Sequence, residues 1–226
     1  MKDFYMEKGY YIHNDPVVPK ELLEKAFKRI PYVYEGEYDL GFPPARRWNL
    51  GSLTSIQKID QVHRCDKAFH DLVTCAKLYD HVAQVSGARM LQVWGTQLII
   101  KPPGGGDEGN IGWHSDEVNW YWLDGNLFTI WLPLVDVNVD NGTIAYIPGS
   151  HKLNIDFEID DAYTQDLEGI ERKIKDQYSE IDLTPTYANI KSGCFAMHDK
   201  KTMHASMNNV SDNARISLAI NVRTED

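Results

Sequence analysis

The spacing of hydrophobic residues changes once along the chain, near residue 90. Before that point apolar residues recur every three or four positions, as on the buried face of an amphipathic helix. The segment 18–30 carries such a stripe, formed by Leu22, Leu23, Ala26, Phe27 and Ile30. Pro19 suits the first turn of this helix. A second segment, 66–87, has similar spacing and ends at Gly87, a typical helix stop, so the sequence predicts two helices here.

From residue 90 onward the pattern changes to short apolar runs separated by Gly, Pro, Asn and Asp, which is typical of strands and turns. The runs are 90–101, 127–137, 142–148, 193–199, 202–209 and 214–223. Helices followed by many short strands predict an α+β fold, mainly β, with an antiparallel barrel or jelly roll. We expect a single domain, 1–226, in which the acidic segment 153–183 is an insertion, partly helical, and a candidate lid.

Charge and cysteine content narrow the classes of function. The formal net charge is −10, which argues against nucleic-acid binding and against a basic membrane-binding surface. The three cysteines, Cys65, Cys75 and Cys194, are odd in number and widely spaced, as expected for reduced thiols. No signal peptide is evident in the first residues. We therefore expect a cytoplasmic protein, monomer or homodimer, that acts on a small molecule.

The first candidate for chemistry is the stretch WHSDEVNW, which contains His114 and Asp116 two positions apart. In an extended strand both side chains would point to the same face. His-x-Asp occurs twice in the chain, and about one occurrence is expected by chance, so the motif alone is weak evidence. We expect the other pair, His13 and Asp15, to form a turn with a helix-capping role.

Two more residues strengthen the case for a metal site. His204 lies in a later strand candidate, and two imidazoles with one carboxylate form the ligand set of non-heme Fe(II) oxygenases. Zinc would accept the same ligands, and from ligand types alone a structural role for both histidines is equally open. Arg215 then shifts the balance, because a buried guanidinium needs an anion and its planar fork suits a carboxylate. An organic acid co-substrate is the anion that this pattern favours.

Several segments together resemble the phytanoyl-CoA dioxygenase family, a branch of the Fe(II)/2-oxoglutarate oxygenases. They are EKGYYI (7–12), the loop and first metal segment (101–116), the block WLPLVDVNVDNGTIAYIPGSHK (131–152) and the segment 191–220. The resemblance implies a double-stranded β-helix, cupin-like, with N-terminal helices packed outside. It also implies an oxidoreductase that uses Fe(II), 2-oxoglutarate and O₂, hydroxylates an unactivated carbon and releases succinate and CO₂.

Residue roles follow from the same resemblance. The implied iron ligands are His114, Asp116 and His204. The implied co-substrate contacts are Arg215, Ser206, Trp131, Gln97 and Lys58. A carboxylate at the second ligand position favours oxygenation over halogenation, for which related enzymes keep that position small.

The substrate is predicted only by class, as a small free metabolite such as an amino acid or a secondary-metabolite intermediate. Candidate substrate contacts are Trp113, Asn119, Trp120 and Arg46, although core packing or a surface turn explains such residues about as well. Three alternatives stay open. The same iron chemistry could end in desaturation, demethylation or epimerisation; the jelly roll could bind metal or ligand without catalysis; or the site could be a zinc hydrolase.

Overall fold

The computed structural model describes residues 1–104, 109–120, 122–155 and 166–225. The helices are α1 (Lys2–Lys8), α2 (Lys20–Glu35), α3 (Val62–Cys65), α4 (Lys67–Val73), α5 (Ala76–Ser86), α6 (Glu117–Trp120) and α7 (Leu167–Gln177). The strands are β1 (Tyr10–His13), β2 (Arg47–Trp48), β3 (Gln57–Asp60), β4 (Leu91–Lys101), β5 (Ile111–His114), β6 (Leu127–Pro133), β7 (Ile144–Tyr146), β8 (Thr186–Tyr187), β9 (Phe195–Asp199), β10 (His204–Ser206) and β11 (Arg215–Thr224). Every strand run predicted from the sequence overlaps one of these strands.

The strands form two antiparallel sheets. The larger has the order β1-β9-β6-β11-β4-β3-β2, and the smaller has the order β5-β10-β7-β8. Strands adjacent in space are mostly distant in sequence, as β1 and β9 are, which is the connectivity of a jelly roll. Residues of both sheets line one cavity. The predicted fold class, mainly β with a jelly-roll core, is confirmed.

The alternation of side chains along β11 explains why the large sheet has one apolar and one polar face. Ile216, Leu218 and Ile220 are buried in the hydrophobic core beneath the helices. Arg215, Ala219 and Asn221, on the other face of β11, line the cavity. Because strand side chains alternate faces, one run of sequence supplies both the core and the cavity wall. Each fully buried aliphatic side chain stabilises the fold by roughly 1.5–3 kcal/mol.

The helices differ from the predicted pattern in three places. α2 continues through Pro31 to Glu35 because Val33, fully buried, extends the apolar stripe beyond the predicted end. The predicted second helix is divided into α4 and α5, although its stop at Gly87 is correct, with a left-handed φ of 77°. The capping role expected for Asp15 is wrong, since α2 begins five residues later with Pro19 at the cap.

The predicted insertion does contain a helix, α7. Its buried side chains Ile170 and Ile174 pack against Trp113, on the side of β5 that faces away from the cavity. Residues 156–165 of the candidate lid lie outside the described residues, as do residues 105–108 of the glycine-rich loop. None of the described helices is long and apolar enough to cross a membrane.

Candidate active site

The three implied metal ligands come together although 90 residues of sequence separate the first from the last. His114 is the last residue of β5 and pairs in register with His204, the first residue of β10. Their ring centroids are 4.2 Å apart. Asp116 follows β5 in the turn that begins α6. The expectation that it shares a strand face with His114 is therefore wrong. Ligand atoms of the three side chains nevertheless all lie within 4.8 Å of one another.

Both imidazoles present the nitrogen that a metal would need. The Nδ1 atom of His114 is 2.8 Å from the carbonyl oxygen of Gly112, and that of His204 is 2.9 Å from the carbonyl oxygen of Thr202. A neutral imidazole that donates through Nδ1 has its lone pair on Nε2. Burial lowers the pKa of His114 to about 3 and that of His204 to about 4. Both rings are therefore neutral near pH 7 and available as ligands.

Asp116 is held in its ionised form. Burial alone would raise its pKa, but the hydrogen bond from His198 and the surrounding imidazoles lower it well below the usual range. The hydroxyl of Thr129 also donates to Oδ2 of Asp116, at 2.7 Å. One carboxylate and two neutral imidazoles match the ligand set of non-heme Fe(II) oxygenases, so the donor chemistry fits ferrous iron.

Beside this group a cavity of about 920 Å³ extends between the sheets. Arg215 borders it with a side chain only 1% exposed. Its Nη1 donates to the hydroxyl of Ser217 at 2.6 Å, whereas its Nε has no hydrogen-bond partner among the described residues. Burial lowers the pKa of this guanidinium to about 9, which still leaves it charged at pH 7. A buried cation with donors to spare suits an anionic ligand.

The other implied co-substrate contacts also line the cavity. The indole of Trp131 lies beneath Arg215, with the guanidinium carbon 5.7 Å from a ring centroid. Lys58 borders the same space, and burial lowers the pKa of its ammonium. Gln97 donates to Oδ1 of Asp60 at 3.0 Å. The hydroxyl of Ser206 is buried without a partner among the described residues, so it can serve a ligand.

The candidate substrate contacts divide into two groups. Arg46, Asn119 and Trp120 line the cavity. Trp113 does not: it is 2% exposed, and its Nε1 donates to Glu171 on α7 at 2.9 Å. The expectation that Trp113 belongs to a substrate wall is therefore wrong. The physical reason is strand alternation, because His114 faces the cavity and the preceding side chain must face away from it.

Some cavity residues were missed in the sequence. Thr129 and Asn221 line the cavity, and Trp94 meets Trp120 edge-to-face at 5.1 Å. Alternation could have identified the first two, since Thr129 lies two residues before Trp131 and Asn221 lies on the face of Arg215. Nothing in the sequence marks Trp94, which lies where the pairing of β4 with β11 changes register.

The sequence of the chain also matches a protein-family model. The model for phytanoyl-CoA dioxygenase (PhyH) matches residues 7–217. The chain belongs to the phytanoyl-CoA dioxygenase family. The predicted family is therefore confirmed.

Curated relatives point to the same family. The ectoine dioxygenase of Bordetella parapertussis is 29% identical over 169 residues, which are 70% of this chain and 54% of the relative. The ectoine dioxygenase of Bordetella bronchiseptica is 28% identical over the same length, with the same coverage. The chain thus spans about half the length of these relatives.

Solved structures share the fold over almost the whole chain. The carbocyclase SnoK from nogalamycin biosynthesis has a TM-score of 0.74 at 22% identity, covering 99% of this chain and 83% of that one. The epimerase SnoN, solved with Fe³⁺, alpha-ketoglutarate and nogalamycin RO, has a TM-score of 0.74 at 18% identity, covering 99% and 82%. EctD from S. alaskensis, solved with 2-oxoglutarate and 5-hydroxyectoine, has a TM-score of 0.69 at 19% identity, covering 99% and 74%. At these identities the similarity concerns the fold.

Proposed function

We propose that this member of the phytanoyl-CoA dioxygenase family hydroxylates an unactivated carbon of a small-molecule metabolite, with release of succinate and CO₂. The observation that carries the proposal is the convergence of His114, Asp116 and His204 within 4.8 Å at a cavity bordered by the buried Arg215. A cluster of metal ligands alone would suit many functions. A metal site beside a buried cation suits a metal that works with an anionic co-substrate.

When bound, iron and 2-oxoglutarate supply the activation of O₂, in which oxidative decarboxylation of the co-substrate is coupled to oxidation of the substrate. The side chains of this protein bind and orient the participants. The Nε2 atoms of His114 and His204 and one oxygen of Asp116 would hold the metal. Arg215, with Lys58 and the hydroxyl of Ser206, would hold the distal carboxylate of 2-oxoglutarate, and Trp131 would pack against it.

The rest of the cavity supports a small-molecule substrate. A volume of about 920 Å³ lies within the range of roughly 300–1,000 Å³ found for small-ligand sites. Asn119, Trp120 and Arg46 supply an amide, an aromatic ring and a cation along its wall. Held between such groups, a substrate carbon is kept near the metal and water is excluded, which accounts for much of what the protein contributes to this chemistry.

The proposal is tested by anaerobic reconstitution with Fe(II) and 2-oxoglutarate, followed by exposure to O₂ with a panel of amino acids and related metabolites. We expect a weak visible absorption band before O₂ is added, then succinate and a product heavier by one oxygen. Asp116→Ala should abolish both the band and the product, whereas Asp140→Ala, at an exposed carboxylate outside the cavity, should preserve them.

The alternatives predict different results. Succinate with a product that lacks the added oxygen would indicate desaturation, demethylation or epimerisation by the same iron site. Activity with zinc in the absence of O₂ would favour a hydrolase. Metal binding with no succinate across the panel would favour a non-catalytic module, and stabilisation by acyl-CoAs alone would contradict the free-metabolite proposal.

A further inference from the structure

The two oxygens of the Asp116 carboxylate have different surroundings. Oδ2 accepts a hydrogen bond from the hydroxyl of Thr129 at 2.7 Å and lies 3.2 Å from Nε2 of His198. Oδ1 lies 3.9 Å from Nε2 of His204, the nitrogen that is free for a metal. One oxygen is thus occupied by protein donors, and the other faces the ligand histidines.

We propose that Thr129 and His198 hold Asp116 as a one-oxygen metal ligand, and that Asn221 orients Thr129 for this task. These three are positioning residues, because they act on the metal through Asp116. The inference rests on the proposed function in one respect: it takes Asp116 to be a metal ligand. Because Oδ2 already accepts hydrogen bonds from these donors, that oxygen would not turn toward the metal.

The direction of the Thr129 hydrogen bond is set by Asn221. The amide Nδ2 of Asn221 donates to Oγ1 of Thr129 at 3.2 Å. A hydroxyl has one hydrogen to donate and lone pairs to accept with. Once the amide occupies a lone pair of the oxygen, the hydroxyl hydrogen of Thr129 is free for Asp116, whose carboxylate can only accept.

The backbone around Asn221 explains how its amide reaches Thr129. The pairing of β11 with β4 shifts register between Asn221 and Val222, opposite Gly95. Such a bulge re-aims side chains within a sheet. A Cβ atom added to Gly95 would lie 2.9 Å from Oδ1 of Asn221, closer than real Cβ contacts. Glycine at this position therefore leaves the space that the amide occupies.

His198 receives the same kind of support from its other side. Nδ1 of His198 is 3.3 Å from the hydroxyl of Tyr146, whose ring stacks on Tyr10 with centroids 4.9 Å apart. The hydroxyl of Tyr146 has one hydrogen that it can donate. A hydroxyl that donates to Nδ1 leaves the imidazole hydrogen on Nε2, directed at Oδ2 of Asp116.

The number of oxygens that Asp116 gives to the metal would determine how many positions on the metal stay open. A carboxylate that bound through one oxygen, with two imidazoles, would leave other positions of the metal for the co-substrate and O₂. If both oxygens bound, one of those positions would be lost. Thr129, His198 and Asn221 would thereby preserve the capacity of the site to take 2-oxoglutarate and O₂ together.

The test compares Thr129→Val, which keeps the shape and removes the hydroxyl, with Thr129→Ser, which restores it. Thr143→Val is the matched control, because Thr143 is also buried and its hydroxyl donates to the backbone carbonyl of Ala188 at 2.6 Å, away from the cavity. Affinity for Mn(II) and Fe(II) is titrated anaerobically, and the visible band of the Fe(II)/2-oxoglutarate complex is recorded. Thermal melting of each metal-free variant reports folding.

We expect Thr129→Val to weaken metal binding by roughly 10- to 100-fold, the loss typical for partners of metal ligands, and to shift the visible band. Thr129→Ser should restore both, Asn221→Ala should reproduce a smaller part of the loss, and Thr143→Val should change neither. Wild-type affinity and an unshifted band in folded Thr129→Val would overturn the inference and leave the proposed function intact. If Thr129→Val does not fold, the same readouts in Asn221→Ala decide. A wild-type protein that binds no Fe(II) would instead overturn the proposed function, and this inference with it.

Discussion

Arg215 and Lys101 lie directly opposite each other on adjacent strands, and both side chains are at most 1% exposed. The ammonium of Lys101 donates to the backbone carbonyls of Ser206, at 2.9 Å, and of Met207. Burial and the nearby guanidinium lower the pKa of Lys101 well below its usual value. Because Lys101 is engaged with the backbone at the end of β10, Arg215 is the member of this pair that is left for a ligand in the cavity.

Replacing Arg215 with alanine should weaken 2-oxoglutarate binding without weakening metal binding. Truncating one partner of a buried charge pair costs about 2–5 kcal/mol, or roughly 30-fold or more in affinity. The Kd for 2-oxoglutarate is measured by anaerobic titration of the Fe(II) form. Arg223→Ala is the control, because Arg223 is an exposed arginine on the same strand that bonds Gln92 at 2.8 Å. Unchanged 2-oxoglutarate affinity in Arg215→Ala would contradict the role proposed for this residue.

Lys58 should make a smaller contribution to the same carboxylate. It is only partly buried, and its neighbour Asp60 on β3 offsets part of its charge. We expect Lys58→Met to raise the KM for 2-oxoglutarate several-fold, by about 1 kcal/mol, with little change in kcat once co-substrate saturates. Lys67→Met, at an exposed ion pair with Asp71, provides the comparison. An equal effect of the two variants would place Lys58 outside the co-substrate site.

Two tryptophan variants separate packing from co-substrate binding. Trp113→Phe should lower the free energy of unfolding by about 1–3 kcal/mol, because the hydrogen bond to Glu171 and some packing are lost. It should leave the KM for 2-oxoglutarate unchanged, since Trp113 faces α7. Trp131→Phe should instead raise that KM, because Trp131 lies beneath Arg215. Urea denaturation and steady-state kinetics on both variants provide the two readouts, and a raised KM in Trp113→Phe would argue against this division.

The metal-free protein should lose stability as the pH falls below about 6.5. Burial lowers the pKa of His63, His114 and His204 to about 4, 3 and 4, whereas a histidine in an unfolded chain titrates near 6.5. Between these values the unfolded chain binds protons that the folded protein does not. The free energy of unfolding must therefore decrease with decreasing pH across this window, and the loss is complete near the folded pKa values.

Urea denaturation at a series of pH values between about 7 and 4 measures this slope. His63 lies outside the metal-ligand group, so His63→Asn should flatten the dependence while it leaves the site intact. A slope that is the same in His63→Asn and the wild type would show that His63 does not contribute as stated.

The sequence alone was sufficient for the fold class and the family, because both depend on local information. Short apolar runs between turn residues mark strands, and the block 131–152, together with the metal segments around His114 and His204, carries the family resemblance. The division of the second helix and the extension of α2 to Glu35 could not be predicted from such local patterns. They depend on which apolar side chains find a place in the core.

Tertiary structure decided what each side chain faces. Trp113 is a residue type that often contacts substrates, but strand pairing directs it toward α7 and directs His114 toward the cavity. Thr129 and Asn221 belong to no motif. Thr129 reaches Asp116, and Asn221 reaches Thr129, because β6, β11 and β4 pair in one register with a shift beside Gly95. A motif describes neighbours along the chain, whereas hydrogen bonds within a site join residues from distant strands, and only the pairing of the sheets determines which of those strands are adjacent.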